Sequence, residues 1–259
     1  MSAAPVFTLP LVRREPPGRW IDLASLGVTA VFLALLARDL VTLLPNLDPA
    51  KIAIDYDLYV GATRRWLDGG GYYLPYQALG PYDATPGVIL YPPTFLLVML
   101  PFLWLPWIAW WALPIAAVVY AAWRHRPRVV AWPGIAMCLW FPGTLVTLVA
   151  GNPVMLMVGA LALGTVWHWP SVLVFLKPTL APFALFGVWR RSWWVALAVL
   201  VLASVPFLGM WPDYVQVLLN ARHPLGLLYN LGQVPTMLLP IVIWAGRRRP
   251  AAPAGEPKP

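Results

Sequence analysis

Along this chain, apolar stretches as long as whole helices alternate with short polar segments. Long apolar stretches follow one another from residue 20 to residue 244, and short polar or proline-containing breaks separate them. Because about 20 apolar residues are enough to cross a bilayer as a helix, the pattern predicts an all-α, polytopic transmembrane helical bundle of about eight spans. The predicted spans are residues 20–44, two short spans within 90–123 that turn at Leu105-Pro106, and residues 129–148, 153–169, 171–189, 193–210 and 226–244.

Composition and charge agree with this prediction. The chain of 259 residues is 60% hydrophobic and 11% charged, whereas soluble domains carry about 25% charged residues. A soluble domain is therefore excluded. The net charge of +8 does not indicate nucleic-acid binding, because the arginines stand in short clusters between apolar spans rather than along a polar surface.

The arginine clusters predict which segments are cytoplasmic. The first span is too long for a cleaved signal peptide and is expected to be a signal anchor, so that the following loop is extracytoplasmic. We therefore expect a multi-pass plasma-membrane protein. Its predicted parts are a cytoplasmic leader (1–19), a single transmembrane domain (20–246) and a cytoplasmic tail (247–259). With eight spans, Arg190, Arg191 and residues 247–249 fall inside, but Arg124, Arg126 and Arg128 fall outside.

The first outer loop, residues 45–93, contains half of the acidic residues of the chain. Tyr59, Ala62 and Trp66 share one helical face within residues 57–68, which predicts a short amphipathic helix in the membrane interface with its aromatic edge in lipid. Three consecutive glycines follow and are expected to end this helix. A second outer loop is predicted at residues 211–225. The acidic residues of the first loop are Asp48, Asp55, Asp57, Asp68 and Asp83.

Asp55 is the predicted catalytic residue. It stands just before the amphipathic helix, where a carboxylate can meet the head group of a lipid-anchored substrate and act as a general base toward a hydroxyl. The alternative is that Asp55 only caps that helix. With Asp57 it forms an Asp-x-Asp pattern, which in an extended segment places both carboxylates on one face and can hold Mg²⁺ or Mn²⁺. Because no glycine-rich phosphate loop and no histidine or cysteine ligand spacing accompanies this pattern, we predict no cofactor and no metal site.

Lys177 is the second residue of interest, because it lies inside an apolar span. A lysine at the centre of a membrane helix costs at least about 2.5 kcal/mol, so such a residue is a functional candidate. Its ammonium can neutralise a lipid-linked phosphate; the alternative is that it snorkels to the interface. Tyrosines of the first loop can line a sugar site or form an aromatic belt at the headgroup level. Further candidates for binding the donor phosphate are Arg64, Arg65, Arg222 and His223.

Taken in order, these and further positions resemble a known enzyme family. The pattern comprises Asp55-Tyr-x-x-Tyr59-x-x-Ala62, Leu67-x-Gly69, Tyr73, Tyr91-Pro92-Pro93, Gly151-Asn152, Lys177-Pro178-Thr179 and Asn230-x-x-Gln233. It is similar to glycosyltransferase family 87 of the membrane-embedded GT-C superfamily, which includes bacterial mannosyl- and arabinofuranosyltransferases of the cell envelope. The resemblance covers roughly residues 20 to 240, and the usual Gly-Gln of the family is Gly-Asn here.

The resemblance implies a GT-C-like fold and an inverting transferase that moves a sugar from a polyprenyl-phosphate donor to a lipid or glycan acceptor on the extracytoplasmic face. It gives Asp55 the role of the base. The expected partners are the donor, the acceptor and membrane lipids, with no nucleic acid. A lipid or solute transporter and a non-catalytic membrane scaffold of a glycan-assembly complex are the alternatives. The expected substrate-lining residues are Asp57, Tyr59, Tyr73, Tyr91, Asn230 and Gln233.

Overall fold

The computed structural model describes residues 18–84, 87–222 and 231–248, and within them it confirms an all-α protein. The α-helices are α1 Arg19–Leu43, α2 Ile54–Leu67, α3 Pro75–Leu79, α4 Leu96–Met99, α5 Ala109–His125, α6 Trp132–Trp140, α7 Pro142–Ala150, α8 Val154–Trp167, α9 Ala181–Ala184, α10 Arg191–Ser204, α11 Trp211–Asn220 and α12 Val234–Ala245. Two short strands, β1 Tyr82–Asp83 and β2 Ala221–Arg222, pair in parallel. The 3-10 helices that join these elements are Leu44–Asn46, Pro49–Lys51, Pro93–Phe95, Leu100–Leu103, Val129–Ala131, Trp169–Leu176, Pro178–Leu180 and Val205–Met210.

Arginines from several helix ends and loops lie together at one end of the bundle. The His125 ring, at the end of α5, forms a hydrogen bond of 2.9 Å with Thr165 near the end of α8. After α12 has ended, the Arg248 N–H donates to the His125 carbonyl at 3.3 Å. Gly187 packs against His168, which brings the start of α10 to the same end. The basic residues of this arginine end are Arg124, Arg126, Arg128, Arg190, Arg191, Arg247 and Arg248. The sequence-based placement of the first three opposite the others is therefore wrong.

The opposite end lies under the first outer loop. The Ala53 N–H of that loop donates to the Val149 carbonyl at the end of α7, at 2.9 Å. The Trp110 indole at the start of α5 donates to the Gly151 carbonyl at 2.7 Å, in the turn before α8. Strand β2, which directly follows α11, pairs with β1 of the loop. This carboxylate end contains the acidic residues Asp48, Asp55, Asp57, Asp68 and Asp83.

Two apolar segments leave one end of the bundle and return to the same end. The segment Pro93–Leu103 starts beside the first loop, and α5 begins beside that loop again. The 3-10 helix Trp169–Leu176 runs from the arginine end to Lys177, and the chain returns through α9 to Gly187. Prolines occur throughout both segments, and a proline lacks the N–H that a continuing α-helix needs. Residues 171–189 therefore form a broken hairpin instead of the predicted continuous span.

Five helical passes connect the two ends among the described residues: α1, α5, α6 with α7, α8, and α10 with α11. Helix α12 runs to the arginine end from the junction of α6 and α7, where Thr236 forms a hydrogen bond with Thr144. Arg19–Asn46 and Arg191–Asn220 are each long and apolar enough to cross a membrane, and the bent pair Val129–Trp140 and Pro142–Ala150 adds a third if it counts as one span. The apolar helices are compatible with a membrane protein, but eight such spans are not found in the described part. Because α11 continues a long helix, the predicted outer loop at 211–225 is wrong as far as residue 220.

Helix α2 confirms the predicted helix of the first loop, but its apolar face does not lie in lipid. Ala62 is fully buried and Tyr59 is 4% exposed. The Tyr59 ring packs against the rings of Tyr91 and Phe95, with centroids 5.3 and 5.5 Å away. Gly69, with φ of +84°, follows the helix as expected. The prediction that this aromatic face lies in lipid is wrong, because the returning segment Pro93–Leu103 covers it. The position of α2 in the membrane interface stays a prediction.

Candidate functional site

Asp55 is a buried carboxylate in the first turn of α2. Its residue exposure is 9%, and it stands one position inside the helix rather than before it. The residue that caps α2 is Ala53, in a left-handed conformation, and no side chain bonds the free N–H groups there. The alternative that Asp55 only caps the helix is therefore wrong. The positive end of the helix dipole still favours its negative charge.

Asn152 holds the Asp55 carboxylate. Its side-chain Nδ2 donates to Asp55 Oδ2 at 2.6 Å, and its Oδ1 accepts from the Val154 N–H, at the start of α8, at 3.0 Å. Both ends of the amide are thus engaged, so that a flipped amide would lose both bonds. The sequence analysis used Gly151-Asn152 only as part of the family resemblance and predicted no role for the Asn152 side chain. The signal for such a role is an amide side chain placed between two apolar helices.

The turn that carries Asn152 is itself fixed by tryptophans. The indoles of Trp110 and Trp111 donate to the carbonyls of Gly151 and Leu148, at 2.7 and 2.8 Å. Gly151 has φ of +64°, and a Cβ at this position would lie 2.9 Å from the Trp111 ring. Glycine is required here because a side chain is disfavoured by both the backbone conformation and the space. The start of α5 therefore sets the position of Asn152.

Lys177 reaches the same site from the tip of the hairpin. It is 7% exposed and lies between two 3-10 helices, in an extended backbone conformation. Its Nζ stands 5.2 Å from the centroid of the Tyr91 ring, which gives a cation–π contact. The buried position shows that Lys177 does not snorkel to the surface of the bundle.

The Asp55 and Lys177 charges interact but do not touch. They attract each other electrostatically, but they form no ion pair within 4.0 Å. Among the described residues, the ion pair that meets this distance is Arg38 with Asp39. Burial raises the pKa of Asp55 above its ordinary value, while the Asn152 hydrogen bond and the Lys177 ammonium act against this rise. A buried carboxylate with a raised pKa is a stronger base than one in water. The arrangement can therefore accept a proton beside the buried Lys177 side chain.

Tyrosines support this pair. The Tyr73 hydroxyl donates to the Tyr91 carbonyl at 3.0 Å, and the Tyr59 ring packs edge-on against Tyr91. All three tyrosines are buried. The structure thus brings the three predicted lining tyrosines together, with Tyr91 under the Lys177 ammonium and the other two holding Tyr91 in place.

Asp57 does not join Asp55. Because α2 is helical, residues two apart point in directions about 200° apart, and Asp57 is exposed. The Asp-x-Asp metal hypothesis needed an extended segment, which the structure does not have. The described part of the chain also contains no group of three or more histidine, cysteine, aspartate or glutamate residues that could hold a metal ion.

The other predicted phosphate ligands lie around the site rather than in it. Arg65 donates to the carbonyls of Gly71 and Tyr72, at 2.6 and 2.7 Å, and so closes the glycine turn. Arg64 is exposed on α2, and Arg222 is exposed in β2. Two further predicted residues, His223 and Asn230, lie outside the described residues.

Gln233 is placed just before α12. Its side-chain Oε1 is buried and has no hydrogen-bond partner in the described structure. The structure gives no contact between Gln233 and Asp55 or Lys177, so its predicted role in lining a substrate stays a prediction.

Comparison with protein-family models, with curated proteins and with solved structures finds no match for this chain. The resemblance to glycosyltransferase family 87 therefore rests on the motif residues alone and stays a prediction. The geometry adds one point to it. Three motif positions that are far apart in the chain, Asp55, Asn152 and Lys177, meet at one site.

Proposed function

We propose that this protein is a membrane glycosyltransferase that moves a sugar from a polyprenyl-phosphate donor to a hydroxyl of a lipid or glycan acceptor. The observation that carries the proposal is the buried Asp55 carboxylate, which lies within electrostatic reach of the buried Lys177 ammonium without an ion pair between them. Such a pair can serve a reaction in which a proton is taken at one point and negative charge develops at another.

The reaction proceeds as an inverting displacement. Asp55 takes the proton of the acceptor hydroxyl, and the acceptor oxygen forms a bond to the sugar C1. The bond from C1 to the phosphate oxygen breaks, and the polyprenyl phosphate leaves with the electron pair. The Lys177 ammonium balances the charge on the leaving phosphate. One group of this kind lowers the activation barrier by about 3 kcal/mol.

The orientation of the protein follows from its two ends. Under the positive-inside rule, the arginine end faces the cytoplasm. Asp55 and the first outer loop then lie on the extracytoplasmic side of the plasma membrane. In this proposal the GT-C-like bundle crosses the membrane with these five passes and α12, and the two hairpins enter without crossing, in place of about eight full spans.

The test compares two carboxylates of one helix. Asp55→Asn and Asp57→Asn are reconstituted in liposomes with a polyprenyl-phosphate sugar and a hydroxyl acceptor, and product is measured by mass spectrometry. Asp55→Asn is expected to lower kcat by about 10²- to 10⁴-fold, the usual contribution of a general base. Asp57→Asn serves as the control because its side chain is exposed. Near-normal turnover by Asp55→Asn would remove Asp55 from the mechanism.

A transporter is the second candidate, and the broken hairpin favours it. Transporters place substrate sites where interrupted helices meet inside the membrane, and Lys177 lies between two short 3-10 helices at such a break. The same liposomes separate the functions. Product without net flux of the sugar lipid supports the transferase, flux without bond formation supports the transporter, and neither result supports a scaffold.

A further inference from the structure

An apolar cavity of about 770 Å³ lies on the outside of the broken hairpin. Its walls come from the Trp169–Leu176 helix, from the start of the Pro93–Leu103 segment and from α10. Most of the lining side chains are valine, leucine and alanine. Arg191 and Ser192 line it where α10 begins, and Ala203 lines it near the end of that helix.

One end of the cavity has a charged side chain without an ion-pair partner among the described residues, and the other end does not. Arg191 is exposed, and no described carboxylate forms an ion pair with it. At the other end the Thr94 hydroxyl donates to Ser204 Oγ at 2.9 Å, and the Ser204 hydroxyl donates to the Leu200 carbonyl at 2.9 Å. These two hydroxyls therefore already have partners. The cavity thus suits a molecule with one anionic end and an apolar body.

The length of the cavity fits one leaflet of a membrane. From Arg191 to Ala203 it follows about three turns of α10, or about 18 Å at 1.5 Å per residue. The hydrocarbon core of one leaflet is about 15 Å deep. Trp189 and Trp194 are exposed near Arg191, and tryptophan favours the headgroup level. The charged end of the cavity therefore lies where lipid phosphates lie.

We propose that the cavity binds one anionic glycerophospholipid of the leaflet at the arginine end, with its phosphate on Arg191 and one acyl chain against α10. This site does not depend on the chemistry proposed for Asp55. A polyprenyl donor that reacts at the carboxylate end would place its phosphate near Lys177, away from Arg191. The bound phospholipid is thus a second lipid, which fills the space between the hairpin and α10.

The experiment measures lipid retention by the full chain. The purified protein is stripped of lipid, mixed with phosphatidylglycerol and phosphatidylcholine of identical acyl chains, and examined by native mass spectrometry. The unaltered protein is expected to retain one phosphatidylglycerol in preference. Arg191→Gln should weaken this retention about fivefold, the contribution of one arginine to binding an anionic lipid. Arg190→Gln is the matched control, because Arg190 is exposed at the same end but does not line the cavity.

A second pair of variants tests the apolar part. Ala196→Trp fills the cavity and should abolish retention, whereas Ala198→Trp, on the same helix but outside the lining, should leave it unchanged. Equal loss in Arg190→Gln and Arg191→Gln, or full retention by Ala196→Trp, would overturn the proposal. A polyprenyl phosphate that displaces the phospholipid at lower concentration than phosphatidylglycerol does would also overturn it, by assigning the cavity to the donor.

Discussion

Replacing Asn152 is expected to change the pH dependence of the proposed reaction more than it changes the fold. In Asn152→Ala the Asp55 carboxylate loses the 2.6 Å hydrogen bond that favours its ionised form. A hydrogen bond to a charged group is worth about 1.5–3 kcal/mol. Its loss adds to the effect of burial, which already raises the pKa of Asp55. The base therefore stays protonated up to a higher pH than in the unaltered protein.

The magnitude follows from this bond energy. On the acidic side of the profile, where only the ionised fraction of Asp55 reacts, kcat/KM should fall by about 10- to 100-fold, because 1.4 kcal/mol corresponds to tenfold. On the alkaline side the loss should be much smaller. The assay is the pH profile of kcat/KM in liposomes, and the expected change is an acidic limb that moves to higher pH.

Asn152→Asp separates this effect from the structural role of the same residue. Its carboxylate can still accept from the Val154 N–H and so keeps the start of α8. However, it cannot donate to Asp55 when ionised, and it adds a like charge beside that carboxylate. The acidic limb should therefore move further in Asn152→Asp than in Asn152→Ala. An unchanged acidic limb in both variants would refute the argument that Asn152 tunes Asp55.

Three further results are expected. Lys177→Gln should lower kcat by about 10²- to 10³-fold in the same liposome assay and leave acceptor KM unchanged, because it removes the charge that faces the leaving phosphate. Unchanged kcat would exclude that role. Gly151→Ala should lower the thermal unfolding midpoint in detergent, since the φ of +64° alone costs about 1–2 kcal/mol for a side chain. Gly61→Ala, at an open position on the α2 surface, should not lower it. The folded pKa of Asp55 is raised, so its ionised form destabilises the fold as the pH rises through that pKa. Asp55→Asn should therefore unfold at a higher temperature than the unaltered protein at pH 8 but not at pH 4, and an equal difference at both pH values would contradict the buried state of Asp55.

Features that depend on local sequence were predicted well. The helical pattern around Tyr59 and Trp66 predicted α2 because every third or fourth residue of a helix shares a face, and the structure places that helix at Ile54–Leu67. The break at Leu105-Pro106 separates Pro93–Leu103 from α5, as proline requires. These features involve residues within a few turns of one another.

The predicted continuous span at residues 171–189 is wrong because the apolar pattern outweighed the prolines of this segment in the prediction. Hydrophobicity indicated a continuous span, but Pro170, Pro178 and Pro182 each remove a backbone donor. The structure has 3-10 helices and a reversal at this place instead. That reversal is what brings Lys177 back into the bundle toward Asp55.

By itself, the sequence determined that this protein is a largely apolar helical bundle. The reason is that long apolar stretches with few charged residues are unfavourable in water. It also marked Lys177, since a charged residue inside an apolar span is costly, and Asp55, because it stands beside the predicted amphipathic helix of the first outer loop. Only the tertiary structure decided that these two charges share a site with Asn152, and that the apolar face of α2 lies against protein instead of lipid. The physical reason is that such contacts join residues far apart in the chain, and their geometry depends on where each broken hairpin turns back.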